Sequence, residues 1–123
     1  MATIEPALDN NFLIVQGGET EREYRWLLND VAVDITGATI VAQFRKSYSD
    51  KRTVFTSSTD NGDIVLTNPA NGEFQVSIPP ETSSEYKPRS KKSSLVFDIE
   101  ITLSGRTDRI IEGRATFNAQ VTR

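Results

Sequence analysis

The chain has 123 residues, a formal net charge of −3, and no histidine or cysteine. The two absences remove the commonest general base, the commonest metal ligand and the thiol nucleophile, which excludes most enzyme mechanisms and any disulfide framework. The length predicts one domain with one core, and the acidic balance argues against a dedicated nucleic-acid-binding protein.

The first eleven residues, MATIEPALDNN, show no clear secondary-structure pattern. They lack the basic start and apolar centre of a signal peptide, and no apolar run in the chain approaches the roughly 20 residues of a spanning helix, so we expect a soluble, non-secreted protein. The apolar residues Ile4, Pro6 and Leu8 lie outside any evident strand. Such segments often order only against a partner, so residues 1–11 are predicted to form a flexible arm that can add to a neighbour's sheet.

Strand patterns begin after this arm. FLIVQ is a short apolar run that stops at two glycines, as a buried strand does at a turn. EREYRWLL then alternates with a period of two and places Tyr24, Trp26 and Leu28 on one side, which we expect to face the core. Asn29 and Asp30 supply the following turn, because both tolerate positive φ.

Two further segments continue the pattern. TIVAQFRKS predicts another half-buried strand, with Phe44 on its inner side. Residues 48–62 are polar except for TVFTS, which indicates an exposed ribbon or an edge strand. Val54 and Phe55 in this ribbon are therefore candidate contacts to another subunit.

A hairpin and a short helical turn follow. GDIVLT and GEFQVSI pair around NPAN, with Phe74, Val76 and Ile78 pointing inward. The two prolines of IPPET must end the second strand, since proline offers no donor to the ladder. One helical turn near residues 80–86 is the most helix that this sequence supports.

The polar, basic segment KPRSKKSS predicts a mobile loop over residues 87–93. Its cations, Lys87, Arg89, Lys91 and Lys92, are candidate contacts to an acidic protein surface. Solvation alone is the ordinary state of loop lysines, and no aromatic residues interleave to stack on bases, so nucleic-acid binding is not expected.

The chain ends in two long alternating strands, SLVFDIEITL and IIEGRATFNAQV, around the turn SGRTDR. The residues predicted to face the core are Leu95, Phe97, Ile99, Ile101, Leu103, Ile111, Ala115, Phe117, Ala119 and Val121. Long paired strands preceded by shorter ones with frequent turns are typical of an antiparallel β-sandwich. We therefore predict an all-β sandwich of about seven to eight strands over residues 12–123.

Candidate chemical sites are few. Asp98 and Glu100, two apart on the outer side of one strand, could bind Ca²⁺, but no loop supplies the six to eight oxygen ligands that such a site takes. A charged outer strand side, paired across the hairpin with Arg114, is the simpler interpretation. Serine nucleophiles lack a histidine base, so no catalytic, cofactor-binding or metal-binding residues are predicted.

The order and spacing of these features resemble those of a group of small bacteriophage virion proteins. That group shares a strand ending in Gln-Gly, a D-[LI]-T-G-A turn, an arginine ending the next strand, a G-x-[FILV]-x-[LV]-x-[IL] strand before a threonine, and two closing strands of the forms [YF]-D-[IL]-E-[VIL] and [IVL]-x-x-G-x-[FAV]-x-[VLF]. Here these fall on Gln16-Gly17, Asp34 to Ala38, Arg45, Gly72 to Ile78, Thr82, Phe97 to Ile101, and Ile110 to Phe117. This chain departs from the pattern in having Phe97 where tyrosine is usual, and in a longer, more basic loop before it.

The resemblance implies an immunoglobulin-like β-sandwich that acts in tails, baseplates, fibre-attachment regions or, in some cases, capsids, without catalysis. The expected role is a tail, baseplate or fibre-attachment adaptor in the virion, made in the host cytoplasm and present in multiple copies or as a homo-oligomer. Its expected partners are other virion proteins, with no membrane, nucleic acid or cofactor. The alternatives are a capsid decoration protein and a carbohydrate- or receptor-binding module.

Overall fold

The computed structural model describes residues 2–5, 11–88 and 92–119. The strands in this part of the chain are β1 (Ala2–Glu5), β2 (Asn11–Val15), β3 (Thr20–Leu28), β4 (Val31–Ala32), β5 (Thr39–Arg45), β6 (Phe55–Ser58), β7 (Ile64–Asn68), β8 (Glu73–Ile78), β9 (Lys92–Leu103) and β10 (Arg106–Asn118). A 3-10 turn at Pro69–Asn71 joins β7 to β8, and the short helix α1 (Pro80–Glu85) follows β8.

The strands form two sheets of five. The first has the order β1-β3-β8-β7, with β4 beside β3, and the second has the order β2-β10-β9-β5-β6. The strands pair antiparallel except for β2 and β10, which are parallel. This is the strand order of an immunoglobulin-like sandwich, so the predicted fold class is confirmed. The strands outnumber the predicted seven to eight because the first is divided between the sheets, as β1 and β2, and β4 has only two residues.

Aromatic side chains fill the space between the sheets. On the second sheet Phe44 stacks on Phe97 at 5.4 Å between ring centroids, and Phe12 meets both rings edge-on. On the first sheet Tyr24 stacks on Phe74 at 5.6 Å. The alternation predicted for the last two strands is confirmed at the buried positions Leu95, Phe97, Ile99, Ile101, Ile111, Ala115 and Phe117. Leu103 and Ala119 are partly buried against the core, and Val121 lies outside the described residues.

The predicted helical turn is confirmed as α1, and a buried serine fixes it to the sandwich. The hydroxyl oxygen of Ser83 accepts a hydrogen bond from Gly17 N at 2.9 Å and lies 3.2 Å from the carbonyl oxygen of Pro80. Ser83 is fully buried. The turn after β2 is thereby joined to the helix after β8.

The N-terminal segment differs from the prediction. Residues 2–5, expected to lie outside any strand, form β1 and pair antiparallel with β3, with Ile4 opposite Trp26. Backbone hydrogen bonding to an available strand edge creates this strand, and such pairing leaves no alternating pattern in four residues for sequence analysis to detect. Pro6 and Leu8 lie outside the described residues.

Two further predictions need correction. Leu28 is 49% exposed because it lies at the end of β3, opposite Val31, beyond the aromatic core. The intervening turn is as predicted, since Asn29 and Asp30 have φ of 52° and 65°. In addition, β9 begins at Lys92 and pairs with β10 from that residue. Residues 92 and 93, predicted to belong to the loop over 87–93, are therefore part of the strand.

Candidate assembly surfaces

A shallow groove of about 340 Å³ lies between the loop after β5 and α1. Val54, Phe55 and Tyr86 contribute apolar side chains to it, and its charged residues are Lys46, Asp50, Arg52 and Glu85. Burial raises the pKa of the Tyr86 phenol above its ordinary value, so this group stays protonated at neutral pH. The groove therefore offers a contact surface of mixed apolar and charged character.

The exposed contact predicted at Phe55 is wrong. Phe55 is buried, and its ring packs against Phe44, Tyr86 and Phe117 at 6.2, 5.8 and 5.9 Å. The alternation of β6 turns this side chain inward, although the polar residues around it suggested an exposed ribbon. Val54 is half-buried against the core, and its contact with a partner stays a prediction.

β6 is an edge strand, as predicted, but a side chain covers part of its outer edge. The amide nitrogen of Asn61 donates to Thr56 O at 3.0 Å, and its amide oxygen accepts from Ser58 N at 3.1 Å. The same oxygen accepts from Asp63 N at 2.9 Å. One side chain thus takes the place of a neighbouring strand at two backbone groups, which blunts this edge toward other chains.

The predicted basic contact is only partly described. Lys87 and Lys92 are exposed, and Lys87 lines a second groove, of about 640 Å³, together with Gln16 and Pro88. Arg89 and Lys91 lie outside the described residues. The contact between these cations and an acidic partner remains a prediction.

The outer side of the second sheet carries a network of charges around Asp98. This carboxylate, predicted to be solvated, is 4% exposed and lies 3.7 Å from Arg45 Nη1 and 3.6 Å from Arg109 Nε. Arg109 also approaches Glu112 at 3.4 Å and Glu100 at 3.9 Å.

The predicted pairing of Asp98 with Arg114 is wrong. A bulge in β10 between Arg109 and Ile111 sets Glu112 opposite Asp98 and places Arg114 opposite Val96. Arg109 lies opposite Glu100, two residues from Asp98 on the same side of β9, and its side chain reaches the Asp98 carboxylate instead.

Tyr48 lies beside this network. Its hydroxyl donates to Gly113 O at 3.1 Å, although the side chain is 54% exposed. Burial raises the pKa of this phenol, and the carboxylates of Glu112 and Asp98 raise it further. Tyrosine and arginine are enriched among the residues that dominate protein interfaces, so this side of the sheet is suited to a protein contact.

Sequence reasoning did not anticipate Arg45, Arg109 or Asn61 in these roles. Arg45 ends a strand that pairs with β9, which places it one strand from Asp98, but the sequence does not reveal which strands are neighbours. The bulge between Arg109 and Ile111, which decides the residue opposite Asp98, has no glycine or proline to signal it. Asn61 precedes Gly62, a pair typical of turns, and this was the one available hint of local hydrogen bonding.

Comparisons with known proteins identify structural neighbours at low identity. No family model matches the chain, and no curated protein matches it. A structure of the periplasmic chaperone SfaE aligns with TM-score 0.48 and 9% identity over 98% of this chain, which spans 59% of the chaperone chain. Murine CRIg aligns with TM-score 0.47 and 10% identity over 98% of this chain and 99% of its own.

A third structure is more distant. ACE19, the collagen-binding subdomain of the Enterococcus faecalis surface protein ACE, has TM-score 0.26 and 15% identity over 86% of this chain and 93% of its own. In the part of the chain that the structure describes, no helix is both long and apolar enough to span a membrane. The strand order of the two sheets makes this protein an all-β, immunoglobulin-like sandwich.

Proposed function

We propose that this protein is a non-enzymatic structural component of a bacteriophage virion, a tail, baseplate or fibre-attachment adaptor that works through assembly contacts. Its partners are other virion proteins, and several copies occur in each particle. The protein is made in the host cytoplasm and needs no cofactor, nucleic acid or membrane for this role.

The observation that carries the proposal is the place of the shared sequence features in the fold. The Gln16-Gly17 pair falls in the turn between the two sheets, where Gly17 has φ of 77° and its N–H meets Ser83. Asp34 begins the turn before β5, and its carboxylate accepts bonds from the N–H and hydroxyl of Thr36, which lower the pKa of Asp34. Features of the resemblance thus coincide with the turns that build the sandwich.

The surface chemistry also suits assembly. The charged side chains beside Asp98 are engaged with one another, and Tyr48 and Arg109 present the residue types found at interface hot spots. Exposed apolar side chains occur on four other elements, at Leu13, Leu28, Val31 and Val65. Because one fold hosts many functions, a direct test of location is required.

The test is mass spectrometry of purified heads and purified tails from the source phage. We expect peptides of this chain in the tail fraction, in an amount that matches several copies per particle. Peptides in the head fraction alone would replace the adaptor with a capsid decoration protein. Absence from both fractions would contradict the virion proposal altogether.

Glycan binding by the purified protein separates the remaining alternative. A carbohydrate- or receptor-binding module binds glycans without other virion proteins, usually through exposed aromatic side chains. Tyr48 is the one large aromatic side chain among the exposed hydrophobic residues of the described chain, so we expect no glycan binding on an array. Specific binding that Tyr48→Ala abolishes would favour the receptor-binding alternative.

A further inference from the structure

The edges of the two sheets differ in how well they are protected. Natural β proteins block exposed edges with charges, bulges, proline or covering groups, because an open edge pairs with other chains. The Asn61 side chain covers two backbone groups of β6, and a bulge between Val65 and Asn68 interrupts β7. Within the described residues, β2, whose sequence is NFLIV, has neither a bulge, a charged residue nor a covering side chain.

The hydrogen-bonding direction of β2 follows from its parallel pairing with β10. Gln16 N donates to Asn118 O at 2.9 Å, and alternate residues of a parallel ladder point to the same side. Phe12 and Ile14 therefore direct their backbone groups toward β10, whereas Leu13 and Val15 direct theirs away from the sheet. Asn11, two residues before Leu13, directs its backbone groups the same way. The carbonyl of Val15 accepts from Gly18 N at 3.0 Å, so among the described residues the outward groups still available are the C=O of Asn11, the N–H and C=O of Leu13 and the N–H of Val15.

We propose that this edge pairs with β2 of a second copy, antiparallel, about a two-fold axis through Leu13. Leu13 of each copy donates to and accepts from Leu13 of the other, and each Val15 N–H donates to the carbonyl of Asn11 across the axis. A two-fold contact requires a surface that is complementary to itself. This set of backbone donors and acceptors meets that requirement. The two second sheets then form one continuous sheet.

The side chains support a second copy as the occupant. Leu13 is 54% exposed on the outer side of the sheet, so the two leucine side chains meet across the axis and cover each other. Phe12 and Ile14 stay in their own core. No like charges oppose each other within β2, because the strand contains none.

This inference supplies a surface for the assembly proposed above, and it rests on that proposal only for its biological use. The experiment uses the purified full chain, so a failure would leave the virion proposal standing. Sedimentation velocity over a concentration series should show a dimer. Leu13→Lys should yield a monomer, because it places two cations at the axis while leaving the core intact. Its melting temperature should match that of the wild-type chain at concentrations low enough to dissociate the dimer.

Val65→Lys is the matched control, because Val65 is 50% exposed on another edge strand. This variant should remain a dimer. A dimer that survives Leu13→Lys would place the contact elsewhere and overturn the proposal. A wild-type chain that stays monomeric at every concentration would overturn it as well.

Disulfide trapping gives a second, independent readout. The chain has no cysteine, so Leu13→Cys introduces the sole thiol. Hydrogen-bonded antiparallel partners lie about 5.5 Å apart at Cα, within the range that a disulfide spans. Mild oxidation should convert this variant to a covalent dimer much faster than Val65→Cys, and equal rates for the two variants would contradict the pairing.

Discussion

Gly72 lies where three backbone segments meet. It has φ of 74°, its carbonyl accepts from Trp26 N at 2.9 Å, and its N–H donates to Pro69 O at 3.1 Å. A Cβ atom built on it would lie 2.6 Å from Trp26 O and 2.9 Å from Val33 O, both of them backbone atoms that cannot move aside independently. The position therefore excludes a side chain for two reasons, conformation and space.

We expect Gly72→Ala to lower the free energy of unfolding by roughly 2–4 kcal/mol, the sum of left-handed strain and the displacement of β3 and β4. Gly37 is the control, because its φ is 81° but nothing lies within 4 Å of its Cβ position. Gly37→Ala should cost only about 1–2 kcal/mol, the conformational term alone. Urea unfolding of the two variants measures the difference, and equal losses would contradict the close approach at Gly72.

Asp98 shows how a charged residue is accommodated on a buried part of the outer sheet surface. Its carboxylate is covered by Arg45, whose side chain is 19% exposed, and by Arg109. Removing the negative charge leaves the Arg45 guanidinium without an ionic partner in a partly desolvated position, which is costlier than losing a solvated pair.

Asp98→Asn should therefore lower the free energy of unfolding by about 1–3 kcal/mol. Asp108→Asn is the control, because the Arg106–Asp108 pair is 3.2 Å long but the Arg106 side chain is 81% exposed. That control should change stability by less than about 0.5 kcal/mol. Thermal unfolding at low and at high salt checks both variants. If Asp98→Asn left the free energy of unfolding unchanged, water would solvate the Arg45 guanidinium as well as Asp98 does.

At the scale of elements, α1 depends on the sandwich for its existence. A helix of six residues is too short to persist alone in water, and it contributes Ser83 as its buried residue. Ser83 joins the helix to the turn at Gly17, and Tyr86 follows immediately, with its ring 4.9 Å from that of Phe117. The helix is a bridge between the sheets rather than an independent unit.

Ser83→Ala should release this bridge at a cost of about 1 kcal/mol, because the N–H of Gly17 loses its acceptor. Hydrogen–deuterium exchange should accelerate over residues 80–86 and at Gly17, with little change in β9. Ser84→Ala, one residue later and exposed, serves as the control and should leave exchange unchanged. Uniform acceleration through the whole chain would show instead that the serine supports global stability.

Elements with long alternation were predictable, whereas pairings made by the backbone were not. Phe97 and Phe117 were placed correctly because period-two patterns over long strands specify one inner side. Phe55 was misplaced because its strand has only four residues, too few to show which side faces the core. Asp98 was misplaced because its burial depends on Arg45 from another strand and on a bulge in β10. In the candidate assembly surfaces, the exposure of each side chain depends on residues that are distant in the sequence. The sequence alone therefore could not locate these surfaces.

At the scale of the molecule, the two sheets share one core. Tyr24 and Phe74 from the first sheet belong to the same buried cluster as Phe12, Phe44 and Phe97 from the second. Neither sheet can keep its inner side covered once the other separates. Unfolding should therefore be cooperative, as it is for most single domains of this size.

The single tryptophan makes this cooperativity measurable. Trp26 lies on the first sheet, partly buried against the core, so its fluorescence reports that sheet, while far-UV circular dichroism reports both. We expect the two signals to melt at the same temperature.

Phe44→Ala, a change in the second sheet, should lower the free energy of unfolding by about 3–5 kcal/mol and lower both midpoints equally, because the cavity weakens the shared core. If Trp26 kept its original midpoint while the circular dichroism midpoint fell, the sheets would be separate folding units. Val65→Ala, at an exposed position of the first sheet, should leave both midpoints nearly unchanged, which separates loss of the shared core from loss of any apolar side chain.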